Sequence, residues 1–168
     1  TACVDIDGVL CVDPTEDEND DGENYLNFML NARPYIVPKV KINTLVTTRL
    51  EKYRANTEEW LKKHGIQYGE LVMLDLPDKA TRMKMNNRGG YKAEEYKKRP
   101  HCNIFIESDW GQAQAIFEQT GKTVYCIETN EMSTKETYLQ IAKKVKKRSS
   151  RLLRSLKKRV RKMFSVYI

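Results

Sequence analysis

Two carboxylates lie two residues apart at the end of an apolar run near the start of the chain. The segment Val4-Asp5-Ile6-Asp7-Gly8 places Asp5 and Asp7 where a strand would end and a glycine turn would begin. Open α/β sheets bind ligands beyond the carboxyl ends of their strands, so such a pair can belong to an active site. An ordinary strand-to-turn junction, in which Asp7 accepts hydrogen bonds from local amides, explains the same residues equally well. Asp5 and Asp7 therefore indicate an active site only if other segments of the chain supply groups that could act with them.

Three later segments supply groups that could act with this pair. Thr47 ends an apolar run, Lys92 begins a predicted helix, and Glu107 and Asp109 follow the apolar run Ile104–Ile106. The carboxyl ends of parallel strands meet at one edge of a sheet, so these side chains are expected to converge there. Together they offer what phosphoryl transfer to a carboxylate requires, namely a nucleophile, an acid/base, a hydroxyl, a cation and carboxylates for Mg²⁺.

Apolar runs that alternate with helical patterns predict the sheet that would position these groups. The predicted strands are Ala2–Ile6, Ile42–Val46, Leu71–Leu74, Ile104–Ile106 and Thr123–Ile127. The predicted helices between them are Arg54–His64, Lys92–Lys98 and Gln112–Thr120, while Asn86–Gly90 is predicted to be a loop. This alternation predicts an α/β fold with a parallel sheet flanked by helices on both faces.

The ordered set of motifs resembles the haloacid dehalogenase superfamily of aspartate-nucleophile phosphohydrolases. Asp5, Asp7 and Gly8 match the first motif of that family, D-x-D-G after an apolar strand. Thr47 matches the second motif, an apolar strand that ends in Thr or Ser. Lys92 best matches the third, a lysine near a helix start. The resemblance covers about residues 2 to 128 and implies a Rossmann-like fold.

Two of the four motifs leave alternatives open. The third is little more than one lysine, so Lys79 and Lys84 are alternatives to Lys92. The fourth is an acidic pair after an apolar strand, and here Glu107 and Asp109 are separated by Ser108 instead of being adjacent. Either carboxylate could therefore contact a metal, and Asp109 is preferred because a short acid can approach Mg²⁺ directly.

The resemblance implies a Mg²⁺-dependent phosphomonoester hydrolase that works through an aspartyl-phosphate intermediate. Asp5 would be the nucleophile, and Asp7 would protonate the leaving oxygen and later deprotonate water. Thr47 and Lys92 would hold phosphoryl oxygens. The implied Mg²⁺ ligands are Asp5, the backbone carbonyl of Asp7, and Asp109 or Glu107. The same nucleophile could also support phosphotransfer, which the motifs do not distinguish from hydrolysis.

The intervals between the motifs leave room for a minimal cap or none. The stretches from Gly8 to Thr47 and from Thr47 to Lys92 are mostly taken up by predicted core elements. An open site favours a macromolecular end, a bulky phosphoester, or closure by a further domain or a partner subunit. The residues around Thr47–Tyr68 are similar to the phosphatase part of polynucleotide kinase-phosphatases, and there is a weaker resemblance to phosphatase domains fused to phosphoribosyltransferases.

The basic residues are concentrated at the end of the chain. The formal net charge is +7, but twelve of the 30 Lys and Arg lie after residue 142, where no acid occurs. A long amphipathic helix is predicted from Ser133 to Phe164, which divides the chain into a catalytic core, 1–132, and a basic helix, 133–168. Residues 143–162 could bind nucleic acid or an anionic membrane surface, or their apolar stripe could simply pack on the core. A non-catalytic binding module is therefore the alternative function.

The remaining features of the sequence concern the cellular compartment of the protein. The four cysteines are far apart and are expected to be reduced thiols, as in a cytoplasmic protein. No apolar run approaches the roughly 18 residues of a membrane-spanning helix, and no signal peptide is visible. The chain begins at Thr1 without a methionine, so a preceding domain is an open expectation.

Overall fold

A computed structural model describes residues 1–85, 87–137 and 139, and a six-stranded sheet lies at its centre. The strands are β1 (Ala2–Val4), β2 (Ile42–Leu50), β3 (Tyr68–Leu74), β4 (Ile104–Glu107), β5 (Thr123–Cys126) and β6 (Glu131–Ser133). Their spatial order is β3-β2-β1-β4-β5-β6. The first five strands are parallel, and β6 pairs antiparallel with β5. The five predicted strands are all present, and the mostly parallel α/β sheet is confirmed.

The helices connect the parallel strands, as crossover connections require. They are α1 (Glu23–Asn31), α2 (Arg54–Lys63), α3 (Lys79–Met85), α4 (Arg88–Lys97) and α5 (Trp110–Thr120), with a short 3-10 turn at Glu51–Tyr53. Gly121 has φ 62° and ends α5 in the left-handed conformation that favours glycine. Helices α1 and α3 were not predicted, because they are only nine and seven residues long and their sequence patterns are weak.

One predicted boundary is wrong in a way that matters for the site. The helix expected to open at Lys92 begins at Arg88, so part of the predicted loop Asn86–Gly90 is helical. Asn87 caps the helix, because its side chain accepts a hydrogen bond from the Gly90 backbone N–H at 3.0 Å. Lys92 consequently lies one turn inside α4 and projects from the helix body.

Apolar side chains cover both faces of the sheet. In β1, Cys3 and Val4 belong to two different buried clusters, as alternation along a strand requires. One cluster includes residues of α1 and α2, and the other includes residues of α4 and α5. The strand order reverses direction between β1 and β4, which places a crevice at the carboxyl ends of these two central strands.

The described residues belong almost entirely to one compact unit, Thr1–Thr134. Ser133 closes β6, where its hydroxyl oxygen accepts a hydrogen bond from the Gln114 side chain, and helical residues begin at Lys135. The helix predicted from Ser133 to Phe164 therefore begins at Lys135, because Ser133 belongs to β6. The residues of this prediction beyond 139, including the basic residues 143–162, lie outside the described part of the chain. Within that part, no helix is both long and apolar enough to cross a membrane.

Candidate active site

A cavity of about 540 Å³ lies at the carboxyl ends of β1 and β4. The carboxylates in its lining are Asp5, Asp7, Asp13, Asp109 and Glu128. The cations in its lining are Lys92, Arg82 and Arg88. The topology therefore brings the predicted first, third and fourth motifs to one edge of the sheet, although they are far apart in the chain.

Asp5, Lys92 and Glu107 form a buried ionic cluster, which we call the lysine cluster. The Lys92 ammonium donates hydrogen bonds to Asp5 Oδ2 and to Glu107 Oε2, both at 2.6 Å. It donates a third to the Gln112 side chain at 2.9 Å. Lys92 is 1% exposed, Asp5 5% and Glu107 0%, so one buried cation serves two buried carboxylates. Of the three candidate lysines, Lys92 is the one that reaches Asp5 in this structure.

The lysine cluster carries an excess of negative charge, and this affects Asp5. Burial, together with the charges of Glu107 and Asp7, outweighs Lys92 and raises the pKa of Asp5 to about 7. Burial alone would lower the pKa of Lys92, but its two carboxylate partners raise it above the usual lysine value. Lys92 therefore remains charged while Asp5 is poised between its two protonation states.

Asp7 has a different partner, and with it forms what we call the arginine cluster. The Arg49 guanidinium donates to Asp7 through Nη2 at 2.6 Å and through Nε at 3.1 Å, a bidentate contact. The Cys11 thiol lies 3.4 Å from the same carboxylate. Burial alone would raise the pKa of Asp7, but the charge and hydrogen bonds of Arg49 hold it below its usual value. Asp7 is therefore ionised in this arrangement.

Gly8 forms the turn that separates these two carboxylates from the following chain. Its φ of +73° favours glycine, and a Cβ atom there would lie 2.3 Å from the Ser108 hydroxyl. That hydroxyl donates a 3.3 Å hydrogen bond to the backbone carbonyl of Asp7. The first and fourth motifs are thus in direct contact through Gly8 and Ser108, and no larger residue fits between them.

Thr47 lies at the same strand end but does not line the cavity. It is 1% exposed, and its hydroxyl oxygen accepts a hydrogen bond from the Arg49 backbone N–H at 3.2 Å. The neighbouring Thr48 lines the cavity instead. The pairing of β2 with β3 is irregular between Val46 and Leu50, so the side chains in this stretch do not follow strict alternation between the two faces of the sheet.

The two carboxylates of the fourth motif lie in different surroundings. Glu107 Oε1 accepts from the backbone N–H groups of Ser108 and Asp109, and its other oxygen accepts from Lys92. Asp109 lines the cavity, and one of its oxygens caps α5 by accepting from the Gln112 backbone N–H at 2.7 Å. Glu107 is therefore a buried positioning group, and Asp109 is the member of the pair that faces the cavity.

The oxygen atoms around the cavity suit a Mg²⁺ ion that has few protein ligands. Among residues 1–85, 87–137 and 139, no three His, Cys, Asp or Glu side chains are grouped closely enough to hold a metal by themselves. Mg²⁺ commonly binds to one or two carboxylates and retains several waters, and Asp5 and Asp109 are two carboxylates that line the same cavity. Burial and the charges of Asp7, Glu107 and Asp109 raise the pKa of the nearby Asp13, a repulsion that a bound cation would relieve.

Sequence reasoning missed three residues of this site. Arg49 lies two residues after Thr47 in a stretch of β2 whose pairing is irregular, so strand alternation does not predict its contact with Asp7. Asp13 reaches the cavity only because the Gly8 turn folds the chain back, so no local pattern identifies it. Arg82 lines the cavity from α3, an element that the sequence did not predict.

The acidic stretch Thr15–Asn24, whose composition predicts a solvated loop, is mostly exposed and contributes Asn19 to the cavity lining. Asp21 accepts hydrogen bonds from the Tyr53 hydroxyl at 2.7 Å and from the Lys79 backbone N–H at 3.0 Å. Asn19 lines the cavity and accepts from Arg82 Nη2 at 3.1 Å. These contacts hold the loop against α3, so its polar residues contribute to the shape of the site.

Comparisons with family models, with curated proteins and with solved structures find no significant match.

Proposed function

We propose that this protein is a Mg²⁺-dependent phosphomonoester hydrolase of the haloacid dehalogenase type, with Asp5 as its nucleophile and a minimal cap. The observation that carries the proposal is the lysine cluster. A carboxylate at the end of the central strand lies 2.6 Å from a buried ammonium and lines a polar cavity. Such a carboxylate can attack phosphorus, while the ammonium offsets the negative charge of an incoming phosphate.

The proposed reaction has two steps that use the same residues. In the first, an Asp5 oxygen forms a bond to phosphorus as the bond to the leaving oxygen breaks, which gives an aspartyl-phosphate and an alcohol. In the second, water attacks that phosphorus, Asp5 is released and inorganic phosphate forms. Lys92 stabilises the negative charge near Asp5 in both steps, and Glu107 holds Lys92 in place. Thr47 holds the end of β2 through its contact with Arg49.

Asp7 is proposed to act as the general acid and base, and its ion pair with Arg49 determines its protonation state before the reaction. Ion-paired with Arg49, Asp7 is ionised, the form that can accept a proton from the attacking water. To donate a proton to the leaving oxygen, Asp7 must first break its ion pair with Arg49 and take up a proton. Substrates whose leaving oxygen needs no proton, such as aryl phosphates, therefore make fewer demands on Asp7.

A Mg²⁺ ion is proposed to be held by Asp5, the Asp7 carbonyl and Asp109. When bound, it supplies positive charge that offsets repulsion between Asp5 and an anionic substrate. The Ser108 hydroxyl fixes the orientation of the Asp7 carbonyl, and the N-terminus of α5 fixes Asp109. The protein thus orients oxygen donors from two neighbouring strands before any ligand arrives.

The test is hydrolysis of p-nitrophenyl phosphate with and without Mg²⁺. Asp5→Asn keeps the size of the side chain but removes the nucleophile, so kcat is expected to fall by about 1,000-fold or more while the protein stays folded. Asp17→Asn is the matched control, because Asp17 is exposed and does not line the cavity. Near-native turnover by Asp5→Asn would refute the proposed nucleophile.

The same assay distinguishes the proposal from a non-catalytic binding module. If the wild-type protein hydrolyses no phosphomonoester when Mg²⁺ is supplied, the non-catalytic binding module becomes the better interpretation.

We also propose that the protein resides in a reducing compartment such as the cytoplasm, because all four cysteines are buried and none forms a disulfide.

A further inference from the structure

A second cavity adjoins the proposed active site. It measures about 300 Å³ and shares Arg82, Arg88, Asp109 and Gln112 with the larger cavity. The proposed chemistry at Asp5 and Lys92 makes no use of Arg82 or Arg88. Two cations therefore lie between the reacting carboxylate and a neighbouring space large enough for part of a ligand.

Arg82 is a buried cation that lacks a carboxylate partner. It is 6% exposed, its Nη1 donates to the Thr48 carbonyl and its Nη2 to the Asn19 side chain, each at 3.1 Å. Its Nε has no hydrogen-bond partner, and no carboxylate of the described residues forms an ion pair with it. A buried charge is costly unless it is paired, so an anion in the cavity beside Arg82 would be stabilised by this guanidinium.

Two helix starts face the same space and favour the same sign of charge. Gly89 in the first turn of α4 and Gly111 in the first turn of α5 both line the second cavity. The first backbone N–H groups of a helix have no partner within the helix, and the helix dipole favours anions there. Gly89 permits the close contact of α4 with α5, because a Cβ atom there would lie 2.8 Å from Ala115 Cβ, whereas Gly111 is exposed.

The charged side chains around this second cavity give it a positive balance. They are Arg82, Arg88 and Asp109. Asp109 directs one oxygen to the backbone of α5, which already stabilises its charge. The two arginines therefore exceed the single carboxylate, and the cavity is suited to an anionic group.

We propose that the second cavity binds a second anionic group of the substrate, a phosphate or a carboxylate, beside the phosphate that reacts at Asp5. The substrate is then a phosphomonoester with two anionic groups, and Arg82 is a specificity-determining residue. The substrate assignment rests on the proposed phosphatase function, whereas the anion site rests on Arg82 and the two helix starts.

The test is a binding measurement that does not depend on turnover. Asp5→Asn protein is titrated calorimetrically with fructose 6-phosphate and fructose 1,6-bisphosphate, and in a second arm with glycerol 3-phosphate and 3-phosphoglycerate. The pairs differ only in a second phosphate or in a carboxylate. In at least one arm, the doubly anionic ligand is expected to bind about 10-fold or more tightly, as charge-assisted hydrogen bonds to a guanidinium predict. The arm with the preference identifies the anionic group.

Substitution then assigns the preference to Arg82. Added to Asp5→Asn, Arg82→Gln is expected to remove most of the preference, whereas Arg54→Gln leaves it unchanged because Arg54 pairs with Glu51 and Glu58 outside the cavity. If Arg82→Gln does not fold, Arg88→Gln is expected to reduce the preference. The anion site would be refuted if, in both arms, the preference for the doubly anionic ligand is no larger than the statistical factor for two phosphates. Absence of turnover in the wild-type protein would instead refute the phosphatase and leave the binding result standing.

Discussion

The lysine cluster and the arginine cluster begin two residues apart in the chain, yet they hold their carboxylates in opposite ways. Asp5 shares one buried ammonium with Glu107, so negative charge exceeds positive charge and its pKa is raised. Asp7 forms a bidentate contact with the Arg49 guanidinium, which pairs with no second carboxylate of the described residues, and the pKa of Asp7 is lowered. Burial raises the pKa of both carboxylates, and the number of cations available to each decides whether that rise is offset.

This difference runs opposite to the protonation states that the first proposed step requires. A nucleophile must be ionised and a general acid protonated, so Asp5 has to lose its proton, and Asp7 has to give up its ion pair with Arg49, before that step. The comparison can be tested by removing each cation, by titrating each carboxylate and by separating the roles of the two acids in the fourth motif.

The largest effect is expected from removing Lys92. Lys92→Met leaves Asp5 and Glu107 buried without a cation, and should lower the free energy of unfolding by about 3–5 kcal/mol at pH 7. Arg49→Met should cost less, about 2–3 kcal/mol, because its partner Asp7 is 20% exposed and water can solvate it. Urea unfolding measures both. Lys97→Met on the same helix is the control, since this half-exposed surface pair should contribute at most about 1 kcal/mol. Equal losses for Lys92→Met and Lys97→Met would contradict the buried cluster.

A second prediction concerns pH, in protein treated with a chelator. Folded Asp5 keeps its proton up to about pH 7 because of its raised pKa, whereas an unfolded aspartate loses it near pH 4. The stability advantage of wild type over Asp5→Asn should therefore decline as pH rises from about 4 to about 7. For Asp7, whose pKa is lowered, the advantage over Asp7→Asn should be present above about pH 4 and lost as pH falls below it. Parallel pH profiles for the two variants, measured by thermal unfolding, would contradict the opposite signs.

The smallest expected effect separates the two acids of the fourth motif. Asp109→Asn should raise the Mg²⁺ concentration for half-maximal activity about 10-fold, because the oxygen donor that faces the cavity is weakened. Glu107→Gln should chiefly lower stability, since Glu107 is buried and binds Lys92. Glu128→Gln is the control for a charge change in the cavity lining. A larger shift in Mg²⁺ requirement for Glu107→Gln than for Asp109→Asn would reverse the assignment.

The parallel sheet, and the edge at which its polar residues meet, could be predicted from the amino-acid pattern alone. Alternating apolar runs identify buried strands, and the carboxyl ends of parallel strands lie together in any such fold. Asp5 and Asp109 could therefore be placed near one another from the sequence. The boundary of α4 was predicted less well, because Asn87 is a side-chain cap and the following glycines suggested a loop.

The pairing of the charged groups could be identified only in the folded chain. The contacts of Asp7 with Arg49, of Asp5 with Lys92, and of Arg82 with Asn19 join segments far apart in the chain. Their geometry depends on crossovers, the Gly8 turn and a local irregularity in β2 that no short pattern encodes. Electrostatic energies depend on distance and burial, which are properties of the folded chain, so the protonation states and the unpaired guanidinium emerge only after folding.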